Sequence, residues 1–309
     1  MQTKLGAVLP QTELPIDPSA WRDFAQAMEQ LGYDHLIGYD HVVGADIANR
    51  PDWGSDFTNQ TPFLEPFSLF SFLAAATSRI GLTTGVLVLP QRQTALVAKQ
   101  AAMVDLLSGG RLRLGVGAGY NAIEFEALGV PLAGRGRRMD EQIDVLRRLW
   151  TCASVDYAGA HHRIDAAGMC PLPLQRPIPV WIGGSSPAAM ARAAAIGDGW
   201  MPVLPAERAG DSVGEFQAAV QAAGRDPANV GMEVILSAGT TRGGDSRRHR
   251  TTDELAVDAR QWIQAGATHI AFHTMDAGLS SLDEQVGYFE RLKEELGQPT
   301  PAARFNQPK

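Results

Sequence analysis

The stretch from residue 108 to 150 constrains the fold most, because it contains a complete strand, loop and helix in succession. Leu112–Val116 is a short apolar run of strand length, directly after the turn-forming pair Gly109–Gly110. Further on, apolar residues recur at three- and four-residue steps, at Met139, Ile143, Leu146 and Trp150. This spacing predicts an amphipathic helix that follows a buried strand.

The same order of strand and helix recurs along the whole chain. Apolar runs of strand length precede helical segments at residues 4–10, 35–39, 80–89, 112–116, 179–182, 199–202, 230–238 and 269–273. Regular alternation without a break predicts one domain over residues 1–309, folded as an α/β TIM (β/α)8 barrel. An open, doubly wound parallel sheet is the alternative fold.

The chain is longer than a minimal barrel requires. It has 309 residues, whereas barrels of this type typically take about 250. The surplus falls in two irregular segments, at residues 42–65 and at about 151–176. We expect both segments to be insertion loops at the carboxyl-terminal face of the barrel.

Composition excludes several classes of partner. The net charge of −7 at pH 7 gives no reason to expect nucleic acid. No apolar run approaches the length of a membrane span. The chain has two cysteines, Cys152 and Cys170, without metal or redox spacing, so a reducing cytoplasm is the expected compartment. His161 and His162 have no third ligand at useful spacing, so no metal site is expected.

Asp40 and His41 follow the second predicted strand, and the carboxyl ends of the strands carry the active site in such barrels. A histidine can give or take a proton near neutral pH, and a neighbouring carboxylate can hold its tautomer. The pair is therefore a candidate for acid–base chemistry. The alternative is a dipeptide that closes a turn, with the histidine capping the next segment.

Glycine-rich strand ends supply the candidate ligand-binding positions. The run Gly115–Tyr120 (GVGAGY) lacks the third glycine of the dinucleotide fingerprint, but it would let backbone approach a flat ligand. Gly183–Ser186 precedes Pro187 and a helix, an arrangement typical of a phosphate cradle. The alternative for the glycines of Gly115–Tyr120 is that they allow tight packing of the strand against the helix. The alternative for Gly183–Ser186 is a serine that only caps the helix. Gly85 lies inside the third strand, where it indicates a bulge or a close contact.

Two further groups of residues have more than one interpretation. The basic run Arg247–Arg250 stands in an acidic chain and either meets an anionic ligand or forms a solvated loop. His269 and His273 are four residues apart in the last strand and therefore share a face. Both could point into the barrel, and a core position is expected for at least one of them.

Three blocks of sequence resemble the luciferase-like monooxygenase superfamily, and within it the branch of oxidoreductases that use the deazaflavin coenzyme F420. They are SGGRLRLGVGAGYNAIEFEALGVPLAGRGRRMDE, TTGVLVLPQR with AKQAAMVDLLSGGR, and PVWIGGSSPAAMARAAAIGDGWMP. The resemblance extends over roughly Leu5 to Leu292. It implies a TIM-type barrel with an insertion, and usually a homodimer.

The resemblance also implies roles for particular residues. It places Asp40 and His41 beside the deazaflavin ring, and a non-prolyl cis peptide at Gly85–Val86 behind it. It assigns the ring's edge to the loop Gly117, Ala118, Gly119 and Asn121, and the phosphate region to Gly183, Gly184, Ser185 and Ser186. Tyr120 departs from the pattern, because sugar-phosphate dehydrogenases of this branch have a glutamate there, and sugar-phosphate oxidation is therefore doubtful.

The expected function is that of an F420-dependent oxidoreductase, which passes a hydride between the deazaflavin and a small organic substrate. His41 would act as acid or base with Asp40 orienting it, and Tyr120 would donate a hydrogen bond to the substrate or line the pocket. The segments 42–65, with Trp53 and Phe57, and 151–176 would close over the site. The alternatives are an FMN-dependent monooxygenase of the same superfamily and a coenzyme-binding protein without turnover.

Overall fold

The computed structural model describes residues 2–54, 57–239 and 249–297. Within these ranges, parallel strands close into a barrel surrounded by helices, and the predicted TIM barrel is confirmed. The strands of the barrel are β1 (Lys4–Val8), β2 (His35–Gly38), β3 (Gly81–Thr84), β4 (Leu87–Val88), β5 (Leu112–Gly117), β8 (Val180–Gly183), β9 (Gly199–Met201), β10 (Gly231–Ser237) and β11 (His269–His273). Two further strands, β6 (Val155–Ala158) and β7 (Arg163–Ala167), form a separate hairpin.

Helices follow the strands along the chain and pack on the outside of the barrel. They are α1 (Pro18–Leu31), α2 (Pro66–Ala76), α3 (Thr94–Ser108), α4 (Ala122–Ala127), α5 (Arg135–Thr151), α6 (Pro187–Ile196), α7 (Ala209–Ala222), α8 (Thr252–Ala265) and α9 (Leu282–Glu295). α1 shows why these segments are helical: Asp17 caps its first turn, Pro18 occupies its first position, and its stripe of Trp21, Phe24 and Met28 is buried. The apolar stripe predicted from sequence is the face that packs on the barrel.

The third barrel strand is interrupted, where the sequence predicts one strand over 80–89. Leu82 pairs with Leu112, whereas Leu87 pairs with Val116, so β3 and β4 together contain one residue more than β5 opposite them. This is a β-bulge. The Gly85–Val86 peptide lies at the bulge and is cis, as the resemblance implies.

The second predicted insertion packs on the flank of the barrel and not over its mouth. Residues 152–179 connect the end of α5 to the start of β8, and the turn of the hairpin of β6 and β7 contacts α3 and α5, with His162 Nε2 2.6 Å from the Thr94 hydroxyl. Its turn is held by Glu141 of α5, which accepts hydrogen bonds from the backbone N–H groups of Ala160 (2.9 Å) and His161 (2.8 Å). Lys99 of α3 donates a hydrogen bond to the carbonyl of Cys170. The expectation that this segment closes over the site is therefore wrong, whereas 42–65 does leave the carboxyl end of β2.

The amino end of the barrel is filled by a buried ionic cluster. Glu233 of β10 accepts hydrogen bonds from His35 and, at 2.6 Å, from Arg113. The Arg113 guanidinium lies 4.3 Å from the Trp181 ring, whose centroid is 4.8 Å from that of His269. Burial raises the pKa of Glu233, but the charges of Arg113 and His35 outweigh it and lower that pKa to about 2.

The two histidines of β11 lie at opposite ends of the barrel. Burial, and then the charge of Arg113, lowers the pKa of His269 to about 3. His273 shares a 3.1 Å hydrogen bond with the Ser237 hydroxyl, and burial lowers its pKa to about 4. Both histidines are half-buried, and their rings lie against those of Trp181 (4.8 Å between centroids for His269) and Tyr39 (5.7 Å for His273).

We predict that Glu233→Ala lowers the free energy of unfolding by about 3–5 kcal/mol at pH 7, because it leaves the buried Arg113 charge uncompensated. The pKa of Glu233 lies below its ordinary value of 4.5. The stabilisation it contributes is therefore complete above that value and is lost as pH falls towards about 2. We expect urea unfolding to show that the difference in free energy of unfolding between wild type and Glu233→Ala becomes smaller as the pH falls from 7 to 3.

The control is Asp144→Ala, which removes the exposed pair with Arg148 and should cause no measurable loss. A difference between wild type and Glu233→Ala that is independent of pH would contradict the assignment of the stabilisation to the Glu233 carboxylate.

Candidate active site

A cavity of about 890 Å³ opens at the carboxyl-terminal ends of the strands. Its size is within the range of ligand-binding pockets, roughly 300–1,000 Å³. Its walls come from the ends of β2, β4, β5, β8 and β10 and from the amino ends of α5 and α6. Nothing from 151–176 lines it.

The structure brings most of the predicted site residues together. Those that line this cavity are Asp40, His41, Gly85, Val86, Gly117, Ala118, Gly119, Tyr120, Gly183, Gly184, Ser185 and Ser186. Asn121 does not line it. Its buried side chain accepts a 3.1 Å hydrogen bond from the N–H of Ile123 and caps α4, so the structure gives no support to a ligand contact there. The binding and catalytic roles of the others stay predictions.

Val86 forms the floor of the cavity, in a slot that two glycines leave open. A Cβ built on Gly117 would lie 2.5 Å from one Val86 methyl, and a Cβ on Gly183 would lie 2.4 Å from the other. Real Cβ atoms do not come so close to carbon atoms. Glycine at these two strand ends therefore lets Val86 lie flush between β5 and β8, with an apolar surface towards the cavity.

One end of the cavity is the amino end of α6. Ser186 caps this helix by accepting a 3.2 Å hydrogen bond from the N–H of Ala189. The Ser185 hydroxyl donates to the carbonyl of Val203 (2.8 Å) and accepts from its N–H (2.9 Å). The Ser185 hydroxyl therefore has no proton left to donate to a ligand. The donors left for an anion are the backbone N–H groups at this helix end and the Ser186 hydroxyl.

Three arginines at this end were not predicted. Arg135 and Arg137 begin α5, and Arg192 projects from α6. Arg135 donates to the carbonyl of Gly119 (2.9 Å), and Arg192 pairs with Asp140. Arg137 is exposed and bonds to nothing among residues 2–54, 57–239 and 249–297. The helix α5 was expected to begin at Met139, four residues too late, so that Arg135 and Arg137 seemed to belong to a loop.

Only His249 and Arg250 of the basic run near residue 250 belong to the described residues. Arg247 and Arg248 lie outside the described residues. Arg250 donates a 2.5 Å hydrogen bond to Asp258 and does not line the cavity. The described cationic groups of the cavity are therefore those of α5 and α6.

Asp40 does not orient His41. Its buried carboxylate accepts hydrogen bonds from Arg92 (2.7 Å to Oδ1) and from the N–H of Val88 (3.0 Å to Oδ2). It thereby ties the end of β2 to β4. The expectation that this neighbour holds the histidine is wrong, because its oxygens are already bound to Arg92 and Val88.

Glu124 of α4 contacts His41 instead. Its Oε1 lies 3.1 Å from His41 Nδ1 and accepts a 2.9 Å hydrogen bond from the N–H of Val42, and its Oε2 lies 3.4 Å from the Gln91 amide nitrogen. Burial raises the pKa of Glu124, but the hydrogen bonds from His41 and Val42 outweigh it and lower that pKa below its ordinary value. The sequence signal for this position was Asn121 followed three residues later by a glutamate, which is typical of the first turn of a helix.

Aromatic rings enclose the imidazole of His41. The ring centroids of Phe57 and Phe63 lie 4.4 and 4.7 Å from that of His41. Trp53 donates a 3.1 Å hydrogen bond to the carbonyl of Phe57 and so holds this part of the loop. Tyr120 stands at the rim and is 57% exposed. The predicted loop 42–65 thus covers the His41 side of the cavity.

In the part of the chain that the structure describes, no group of three or more His, Cys, Asp or Glu side chains could hold a metal ion. No helix among those described is both long and apolar enough to cross a membrane.

Comparisons with known proteins agree on one family. The family model of the luciferase-like monooxygenases matches residues 2–298. An uncharacterised protein of Mycobacterium tuberculosis is 40% identical over 182 residues, which cover 57% of this chain and 62% of the relative. The match thus spans less than two thirds of the relative's length. The FMNH(2)-dependent dimethylsulfone monooxygenase of Pseudomonas putida is 33% identical over 181 residues, 57% of this chain and 46% of that protein.

Among solved structures, an F420-dependent secondary alcohol dehydrogenase bound to an F420–acetone adduct superposes with a TM-score of 0.77. The alignment covers 96% of this chain and 99% of the other at 17% identity. At that identity the likeness shows the fold alone.

We predict that Gly183→Ala lowers the free energy of unfolding by about 1–3 kcal/mol, because the new methyl overlaps Val86. Adding Val86→Ala should recover part of that loss, so the two changes should be less than additive in a double-mutant cycle measured by urea unfolding. The matched control is Gly214→Ala in α7, where an added Cβ meets nothing within 4 Å and should be neutral or stabilising. If the changes in free energy of unfolding caused by Gly183→Ala and Val86→Ala simply add in the double variant, Val86 does not pack against residue 183 as described.

Proposed function

The chain belongs to the luciferase-like monooxygenase family, and from this we propose that it is an F420-dependent oxidoreductase that transfers a hydride between the deazaflavin and a small organic substrate. The proposal rests on the observation that the two ends of the cavity differ in chemical character. One end has three arginines and a helix amino terminus, the floor is the apolar Val86, and the other end has His41 among aromatic rings.

The residues present fit a ring cofactor with an anionic tail. Val86 and Gly85 would support the ring from behind, since they form the floor without a projecting polar group. The amino end of α6 and the Ser186 hydroxyl would hold a phosphate, and Arg135, Arg137 and Arg192 would hold further negative charge. When bound, the deazaflavin would supply or accept the hydride.

His41 would handle the proton that accompanies hydride transfer. It would deliver a proton to the substrate oxygen or carbon during reduction, and would accept one during oxidation. Tyr120 would donate a hydrogen bond to the substrate from the rim or line the pocket there. Phe57 and Phe63 would exclude water from this end, because they cover the imidazole.

The amount of positive charge favours the deazaflavin over FMN. FMN carries a single phosphate, whereas the F420 tail combines a phosphate with carboxylates. A helix amino terminus with a free hydroxyl already satisfies one phosphate. Three additional arginines are more than FMN needs, and they suit the longer acidic tail.

An FMN-dependent monooxygenase is the second candidate, and the Pseudomonas putida relative supports it. The fold and the helix-end phosphate site would serve either cofactor. A coenzyme-binding protein without turnover is the third reading, which a substrate screen separates from the other two.

The proposal is tested by titrating the purified protein with F420 and with FMN side by side. We expect F420 to bind more tightly than FMN. Arg137→Gln should weaken F420 binding by about fivefold at low salt and less at high salt, since exposed charges are screened. His41→Ala should lower F420-dependent turnover by about a hundredfold or more on any substrate found by screening deazaflavin absorbance.

The matched control is Arg22→Gln, which removes an exposed arginine of α1 that does not line the cavity and should leave both affinities unchanged. Tighter binding of FMN, with oxygen consumption in the presence of its reduced form, would establish the monooxygenase instead. Binding of F420 without turnover across a broad screen would indicate a carrier.

We also propose that the protein is a homodimer, formed through α2 and α3. Both helices expose large apolar side chains, with Phe72 41%, Leu96 53% and Leu107 57% exposed. α2 is apolar almost throughout (PFSLFSFLAAA). A helix that is apolar on every side is normally buried, so these faces suit a second copy of the chain.

We expect the wild-type protein to sediment as a dimer, and the double variant Leu96→Glu/Leu107→Glu to sediment as a monomer, because the two residues share a face of α3 and the new charges would be buried. Val257→Glu changes an equally exposed residue (47%) on α8 and should leave the dimer intact. Sedimentation velocity distinguishes these outcomes, and a monomeric wild type would refute the dimer.

A further inference from the structure

The carboxylate of Glu124, on α4, contacts the imidazole of His41. Glu124 is 1% exposed, and its carboxylate faces Nδ1 of His41 rather than the cavity. Among the described residues, Nδ1 bonds to Glu124 and Nε2 of the same ring bonds to nothing. His41 lines the cavity, so the atom available to a substrate is Nε2.

An ionised carboxylate can only accept a hydrogen bond, so the Nδ1 that faces it carries the proton. In a neutral imidazole the other nitrogen is then unprotonated. We propose that Glu124 is a positioning residue for His41, which fixes the ring with Nδ1 protonated and leaves Nε2 as the atom that accepts and returns the proton. This inference rests on the proposed role of His41 in the F420-dependent reaction.

The neighbours of Glu124 are arranged to keep its carboxylate in place. The N–H of Val42 donates to the same oxygen that faces His41, and Gln91 lies against the other oxygen. The Val42 bond also ties the start of the covering loop to α4. Glu124 therefore sets the position of the backbone beside His41 as well as the tautomer of the ring.

The same carboxylate would stabilise the imidazolium. If the substrate were an alcohol, Nε2 would accept its hydroxyl proton, and the ring would gain one positive charge next to Glu124. The electron pair of the broken O–H bond would form the second bond of the product C=O group as the carbon lost its hydrogen with both C–H electrons. A bound deazaflavin would supply the acceptor for that hydride. In the reverse direction the proton returns from Nε2 to the substrate oxygen. A carboxylate behind a histidine serves this purpose in hydrolases with a catalytic triad.

The test uses protein labelled with 15N at its seven histidines. Long-range 1H–15N spectra show which ring nitrogen carries the proton, and the signal that is lost in His41→Gln identifies His41. In wild type, at a pH where the ring is neutral, we expect Nδ1 to be protonated. Glu124→Ala should shift the proton to Nε2, which an unconstrained imidazole prefers, and should lower kcat about tenfold or more with a smaller change in KM.

Glu124→Gln is the conservative variant. The N–H of Val42 requires an acceptor, so the amide oxygen should take the place of Oε1 and keep Nδ1 protonated, with a smaller loss of kcat than in Glu124→Ala. The matched control is Glu141→Ala. Glu141 also faces a histidine Nδ1, that of His162 at 2.8 Å, but neither residue lines the cavity. This variant should leave the His41 signal and the turnover unchanged.

A wild-type His41 protonated at Nε2 would overturn the inference, whatever the variants do. So would a Glu124→Ala protein that keeps the wild-type tautomer, even with reduced turnover, because Glu124 would then act through packing. The spectra need no cofactor. A failure of the proposed function, seen as no F420-dependent turnover in wild type, is therefore distinguishable from a failure of this inference.

Discussion

A closed barrel of parallel strands must fill its own interior with side chains, and the geometry of the cavity depends on how this interior is filled. At the amino end the filling is ionic, with Glu233 between Arg113 and His35. At the carboxyl end Val86 closes the barrel in the slot left by Gly117 and Gly183. The cavity begins where this filling stops, so its floor packs directly against buried residues of the barrel interior.

Two carboxylates near the mouth have different tasks, and their surroundings decide which is which. Asp40 leaves β2 beside His41 in sequence, but successive side chains of an extended segment point in opposite directions. Its carboxylate therefore meets Arg92 and β4 and joins two strands of the barrel. Glu124 reaches the imidazole from α4, 83 residues further along the chain. Adjacency in sequence was a poor guide to adjacency in the folded site.

The parts of the fold that sequence predicts are those that depend on local periodicity and on glycine. The barrel strands apart from the break between β3 and β4, the stripe of α1 and the glycine-rich ends of β5 and β8 were predictable, since each follows from backbone preference and spacing. The site was predictable where it uses strand ends, as with His41 and Gly183. Glu124 and the arginines of α5 and α6 were missed, because their relevance arises only when helices pack on the barrel. The segment 151–176 was predicted as an irregular insertion over the site, and its hairpin was missed for the same reason, since the position of the hairpin depends on contacts with α3 and α5.

Charge at the cavity runs against the charge of the whole protein. The chain has a net charge of −7, yet the described residues at the α5 and α6 end of the cavity include three arginines, of which only Arg192 pairs there with a carboxylate, Asp140. A local positive field attracts anionic groups to this end of the cavity. An anionic tail held at that end would direct the attached ring over Val86 and towards His41. In the proposed function, the separation of charge from the apolar end would set the direction in which the cofactor lies. The barrel would serve either cofactor, so the proposal of F420 rests on the arginines at this end.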